Sequence, residues 1–280
     1  MTTTIDVPEW IVPDWPAPSR VRALSTTRHG GVSAGPYGLA DGSAGGLNLG
    51  THVGDHPAAV EANRERLARR LPAMPRWLEQ VHGCGVATAD DTAGNTADDT
   101  GDAVPGNAVP RADASIATTP GHVCAIMTAD CLPVLLCDAA GTVVGAAHAG
   151  WRGLCDGVIE ATLARMAPHA GPQAQWLAWL GPAIGPTAFE VGAEVREAFL
   201  QRARTDEQTM VEAAFSAGAP GKYWADLYAL ARVRLARAGC TQVHGGDACT
   251  VSDAERFYSY RRDRTTGRMA TLVWLEGQGR

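Results

Sequence analysis

Three residues in this 280-residue chain combine donor atoms with positions at the ends of short apolar runs. They are His82 in Glu79-Gln80-Val81-His82, Cys131 in Thr128-Ala129-Asp130-Cys131, and His148 in Ala147-His148-Ala149-Gly150-Trp151-Arg152-Gly153. Strand ends are where a rigid scaffold usually presents reactive groups. Two imidazoles and a thiolate supply three ligands for zinc, one fewer than a closed structural site needs, and the fourth position is then open to water or substrate. Bound zinc would keep Cys131 as a thiolate and draw the pKa of a coordinated water towards ~7. Two other chemistries use the same residues. Cys131 could act as a nucleophile paired with His82 or His148, or the zinc could be structural, with Cys124 or Cys137 as the fourth ligand. On spacing alone, a lone His or Cys in an apolar segment is more often a satisfied core residue than a ligand.

Several polar residues could serve such a centre. Arg28 follows an apolar run and precedes Gly30-Gly31, so its guanidinium could clamp a phosphate or carboxylate. Asn48 could orient a ribose hydroxyl or close its own loop through an Asx-turn. The amides of residues 150–157 lead into a helix start, a ready anion site to which Arg152 could add charge. Arg261 and Arg262 are further pocket candidates, with a solvated surface position as the plainer reading. His52 and His56 have the i, i+4 spacing of a helical zinc motif, but Gly54 and Pro57 interrupt any helix there. Cys240 and Cys249 are too far apart for a zinc knuckle and read as buried thiols.

The elements that must position these groups follow from the apolar pattern. Strands are predicted at Val21–Thr27, Trp77–Val86, Val123–Met127, Pro133–Cys137, Val143–Ala147, Trp176–Leu180 and Ala270–Leu275. A helix capped by Asp55, with Pro57 in its first turn, carries Val60, Leu67 and Leu71 on one side. A second starts at Asp156 and aligns Val158, Ile159, Leu163 and Met166. Further helices are predicted at Gly192–Arg202 and from Asp226 to Ala238, the last stopped by Gly239. A glycine-rich loop runs from His29 to Gly50, and an acidic stretch from Thr88 to Pro110 reads as an exposed excursion. The loose alternation without a βαβ period predicts an α+β fold, a mixed sheet with helices packed on its faces.

Composition narrows the partners. Acidic residues outnumber basic ones by 30 to 24, and the net charge of −6 gives no reason to expect nucleic acid or an anionic membrane. No apolar run approaches a membrane span. The N-terminal residues, with prolines at 8, 13 and 16, lack the apolar core of a signal peptide. Seven irregularly spaced cysteines point to a reducing compartment, so the expected location is the cytoplasm.

Taken together, the motifs resemble those of one family. Ser25-Thr26-Thr27-Arg28-His29-Gly30-Gly31-Val32-Ser33 and Leu47-Asn48-Leu49-Gly50-Thr51-His52-Val53-Gly54-Asp55 are similar to the N-terminal signature of the YfiH-type laccase-domain family. The likeness continues through Gln80-Val81-His82, Thr128-Ala129-Asp130-Cys131-Leu132-Pro133, His148-Ala149-Gly150-Trp151-Arg152-Gly153 and Phe257-Tyr258-Ser259-Tyr260-Arg261-Arg262-Asp263. The resemblance implies one domain over residues 1–280 and a metal, zinc or else copper, on His82, Cys131 and His148. It also implies catalysis at those residues, with Arg28, Asn48 and Arg152 binding substrate. The implied activity is a purine nucleoside phosphorylase acting on adenosine, inosine and methylthioadenosine, with adenosine deaminase as a side activity. The partners would then be a small-molecule nucleoside and phosphate. Two alternatives come with the family: an amidohydrolase editing a peptidoglycan precursor (a UDP-N-acetylmuramoyl-amino acid) and a copper-dependent polyphenol oxidase. Copper oxidases usually carry His-x-His pairs, and none of the eight histidines forms one. Extra Gly and Ala at residues 39–46 and the length of 88–110 depart from the family pattern and are expected to shape the pocket mouth.

Overall fold

The computed structural model describes residues 10–90, 96–97, 103–104 and 109–277. Its centre is a six-stranded mixed sheet in the order Gln242–Gly245, Trp176–Leu180, Leu132–Asp138, Val144–Ala149, Ala114–Ala117, Val86–Thr88. The two outermost pairs are parallel and the inner ones antiparallel. A second, antiparallel sheet has Met269–Leu275 between Val21–Ser25 and Val123–Thr128.

The Leu132–Asp138 strand shows why these runs read as continuously apolar. Val134 and Leu136 face a helical layer made by Val158–Met166 and Leu227–Arg237, while Leu135 and Cys137 face Val273 and Leu275 of the second sheet. Both faces are covered, so the alternation of a half-exposed strand is lost. The outer face of the second sheet is covered in turn by Leu47, Leu49 and Leu67, the last on the Pro57–Ala68 helix. The fold is therefore α+β, with helices on the sheet faces. Among the described residues no helix is long and apolar enough to cross a membrane.

Four local expectations change. The run 77–86 is not a strand: it makes one isolated bridge, at Glu79, beside another at Arg76 just before it, and the strand begins at Val86. The amides of Val81, His82 and Gly83 are taken by the Asp113 carboxylate and so cannot join a ladder. Asp55 does not cap the first helix. Its N-cap is His56, because the Asp55 carboxylate is engaged by Ser33 Oγ and Asn48 Nδ2. The helix expected from Asp156 starts earlier, as a short Trp151–Asp156 helix, and resumes at Val158 after Gly157 adopts φ 108°. Within the His29–Gly50 loop, His29–Ser33 is a strand and Gly35–Tyr37 a 3-10 turn. Asp226 does cap its helix, accepting from the Ala229 amide.

Residues 39–46 fold back on this strand: Gly45 O accepts the amides of Gly30 and Gly31, and none of 39–46 reaches the cavity described below. Most of the 88–110 stretch lies outside the described residues.

Candidate functional site

His82, Cys131 and His148 converge. Their donor atoms lie within 4.8 Å of one another, and this is the one such group of His, Cys or acidic side chains found among the described residues. Cys131 Sγ is 3.9 Å from His82 Nε2, and the two imidazoles meet edge to face with centroids 4.8 Å apart. His82 is exposed, Cys131 half-buried and His148 buried. The set opens onto a cavity of about 690 Å³ whose walls include Met127, Trp77, Tyr260, Arg64 and Arg268.

Each donor is delivered by an unusual piece of backbone. His82 has φ 62° and Asp130, beside Cys131, has φ 95°, both in the left-handed region that non-glycine residues seldom occupy. Asp113 holds the first in place. Its carboxylate accepts the amides of Val81, His82 and Gly83 at 3.1, 2.9 and 2.6 Å, and its carbonyl accepts the His148 amide at 2.7 Å. The same carboxylate meets His148 Nδ1 at 2.8 Å, which puts a proton on Nδ1 and aims the Nε2 lone pair at the other donors. One buried carboxylate thus sets the loop of one imidazole and the tautomer of the other.

Asp130 holds the second. Its carboxylate accepts from Thr250 Oγ1 and the Arg261 amide, both at 2.6 Å, and its carbonyl accepts the Ile184 amide. Gln80 closes the rim by a paired bond to Met127, donating to its carbonyl and accepting from its amide, each at 2.8 Å.

Gly150 forms the floor. A Cβ there would stand 3.0 Å from His82 Cδ2, 3.1 Å from Cys131 Sγ and 3.7 Å from His148 Nε2, so the position needs glycine for space, not for its backbone angles.

The electrostatics suit a thiolate. Burial opposes ionisation of Cys131, but the His148 charge and hydrogen bonds from both imidazoles outweigh it and hold the thiol well below its usual range. Burial likewise opposes protonation of His148, and Cys131 and Asp113 together reverse that, raising the imidazole. Asp113 is lowered despite its burial, by the His148 bond and the Gly83 and His82 amides. In contrast, burial pushes Cys124, Cys137 and Cys240 up to about 12. Cys124 and Cys137 sit inside strands and supply no fourth ligand.

A divalent ion fits this donor set. Two imidazole nitrogens and a ready thiolate are zinc ligands once the raised His148 ring gives up its second proton on binding, and the cavity leaves one side open.

The other expected residues lie elsewhere. Arg28 is 4% exposed, and its guanidinium donates to the carbonyls of Gly38, Leu39 and Ala254, which ties the glycine-rich loop to a distant turn. Four of its five N–H donors go to these carbonyls, and it does not line the cavity. Asn48 is fully buried; it makes the Asx-turn to Gly50 and accepts the Arg268 amide, so it does not face a ribose. Arg152 is exposed, with its guanidinium over Trp151, and does not line the cavity. Arg261 and Arg262 bond to backbone carbonyls outside the cavity lining.

Arg64, Arg268 and Asp113 were not singled out from the sequence. The only hint for Asp113 was an acid heading the apolar run Ala114–Ala117. For Arg64, on a helix, and Arg268, just before the last strand, nothing local separates them from the chain's other arginines.

A family model described as "Multi-copper polyphenol oxidoreductase laccase" matches residues 22–276. The chain is 54% identical to purine nucleoside phosphorylase YfiH of Escherichia coli and 52% identical to a purine nucleoside phosphorylase of Pseudomonas aeruginosa. Each alignment covers 95% of this chain and 98% of the relative. A crystal structure of a Neisseria meningitidis protein superposes with TM-score 0.80 at 46% identity, over 96% of this chain and 100% of the other.

Proposed function

Because the chain belongs to the multi-copper polyphenol oxidoreductase laccase family, in its YfiH branch, we propose that it is a zinc-dependent purine nucleoside phosphorylase. Its substrates are adenosine, inosine and methylthioadenosine, and adenosine deamination is a side activity. The observation that carries this reading is the open His82–Cys131–His148 set at the base of a cavity large enough for a nucleoside. The names of the relatives support the reaction class.

His82, Cys131 and His148 would hold the ion, which when bound supplies Lewis-acid charge stabilisation at the cavity floor. The donor set itself also accepts copper. Zinc is preferred because no second histidine cluster accompanies this one among the described residues. Tyr260, 50% exposed, and the apolar side of Met127 offer a purine a stacking and packing surface. In phosphorolysis a phosphate oxygen bonds to the anomeric carbon as the glycosidic C–N bond breaks. The pair of electrons leaves with the base, which takes up a proton, and the products are free base and ribose 1-phosphate. The residues contribute by holding both reactants in one desolvated cavity, where positioning alone lowers the barrier substantially.

Purified protein incubated with each nucleoside, with and without phosphate, should release base only when phosphate is present, read by chromatography. Absence of base release from all of them would refute the reading. A second reading, a cysteine amidohydrolase acting on a cell-wall precursor, is favoured by the lowered Cys131 thiol and the Cys131–His148–Asp113 order. It requires activity that survives chelation and is lost when Cys131 is alkylated in metal-free protein.

A further inference from the structure

Two arginines in the cavity wall, Arg64 and Arg268, make no ion pair among the described residues. Arg64 donates through Nε to the Leu49 carbonyl at 2.9 Å, and its guanidinium lies 4.3 Å from the Trp77 ring centroid. Its Nη1 meets no acceptor among the described residues, and its Nη2 meets only the Met127 sulfur at 3.9 Å. Arg268 donates through Nη1 to the carbonyls of Thr266 and Gly267, which leaves Nε and Nη2 without acceptors among the described residues. Both are half-buried, and burial is the main influence on each, holding its pKa below the usual guanidinium value. The one carboxylate in the lining, Glu79, forms an ion pair with neither. Arg268 also feels the charges of Cys131 and Asp130, so it stands within electrostatic reach of the donor set.

Partly desolvated cations are normally paired in a folded protein. Elsewhere in this chain Arg234 is paired with Glu160 and Arg237 with Glu207, and the buried Arg28 has its guanidinium nitrogens bonded to carbonyls. The cavity pair is also anchored on purpose-built backbone. Asn48 Oδ1 accepts the Arg268 amide, and the next carbonyl in the chain, that of Leu49, holds Arg64. One buried turn therefore fixes both cations on the same wall. Thr51 and His52 continue this turn into the cavity.

We propose that Arg64 and Arg268, with Thr51 and His52 beside them, form a subsite for a phosphoryl dianion facing the His82–Cys131–His148 set. Two forked, permanently charged donors suit tetrahedral phosphate oxygens better than a single ammonium would. The anion reaches the site either as free inorganic phosphate or as a phosphoryl group carried by the substrate. The first source rests on the phosphorolysis reading; the subsite itself does not.

Calorimetric titration of the metal-loaded full chain with inorganic phosphate, and separately with adenosine and adenosine monophosphate, tests the assignment. The variants are Arg64→Met, Arg268→Met and their lysine counterparts, each checked for metal content and circular dichroism. Phosphate binding should weaken about tenfold or more in each methionine variant, with metal content unchanged. The lysine variants, which keep charge but lose the fork, should fall between and carry the test if a methionine variant fails to fold.

If the arginine dependence appears with adenosine monophosphate and not with free phosphate, the subsite stands and the substrate brings the anion. If neither anion binds the native chain, or both bind all variants alike, the subsite is refuted. Arginine-dependent binding without base release from inosine would refute the phosphorolysis reading alone.

Discussion

Charge gathers in two partly buried places in this protein, and the two are built oppositely. Along the seam between the Val158–Met166 and Leu227–Arg237 helices, positive and negative side chains are matched: Arg234 meets Glu160 at 2.8 Å and Arg237 is bonded to Glu207. In the cavity the matching stops at Asp113 and His148, and the remaining donors, both guanidiniums and the open side of the ligand set, face empty volume. A seam of paired charges contributes to holding helices together. A wall of open donors, anchored by backbone so that it does not collapse, is prepared for something that is not protein. The separation makes a sharp expectation: substitutions in the cavity change binding and leave stability nearly alone, and those in the seam do the reverse.

The strongest way to break that contrast is to remove a donor. Cys131→Ser or His148→Ala should abolish stoichiometric zinc and cut base release by more than the about 100-fold that loss of an outer partner costs. Metal analysis and initial rates read both; a variant that keeps its zinc would dissolve the distinction. Asp113→Asn comes next. It keeps the shape but loses the charge facing His148 and three amides, so zinc affinity should fall about 10–100-fold, measured by competition with a chelating dye.

On the seam side, Glu160→Gln strands the nearly buried Arg234 and should cost about 2 kcal/mol in denaturant unfolding while leaving zinc content and rate unchanged. A last effect, confined to acid pH, comes from Glu207. The hydrogen bonds from Arg237 hold the Glu207 carboxyl down to about 2, against an ordinary value of 4.5. A carboxyl depressed on folding stabilises the protein above its unfolded pKa and loses that contribution as it protonates. Stability should therefore decline as pH falls from 4.5 towards about 2. Glu207→Gln should flatten the decline in that window and leave it intact elsewhere.

How much of this could be read from residues alone differs between the two places. The helices of the seam were legible because Val158, Ile159, Leu163 and Met166 repeat with helical period, and Asp226 is a readable cap. Strands buried on both faces were legible as apolar runs. The segment 77–86 misled because Trp77, Leu78 and Val81 look strand-like, while the decisive feature, a carboxylate 30 residues onward taking three successive amides, is a long-range one.

The converging trio of His82, Cys131 and His148 was singled out through motifs, whereas its supports were not. Asp113 and Asp130 act through contacts spanning 35 and 120 residues, which no local pattern encodes. Arg28 and Asn48 were read as ligand-binding because polar residues flanking glycines often are. The structure instead ties Arg28 to the Gly38, Leu39 and Ala254 carbonyls and places Asn48 in the turn that holds the Arg268 amide.

The grip of Asp113 has one more consequence. Since it fastens the 81–83 loop and the His148 ring by bonds wholly internal to the polypeptide, the geometry of the donors does not wait for an ion to organise it. Small zinc domains unravel when stripped, but this chain should remain folded when treated with a chelator and take up metal without renaturation. The same batch of protein can then be reconstituted with zinc or with copper in turn, and the two loaded forms compared on nucleosides and on phenols.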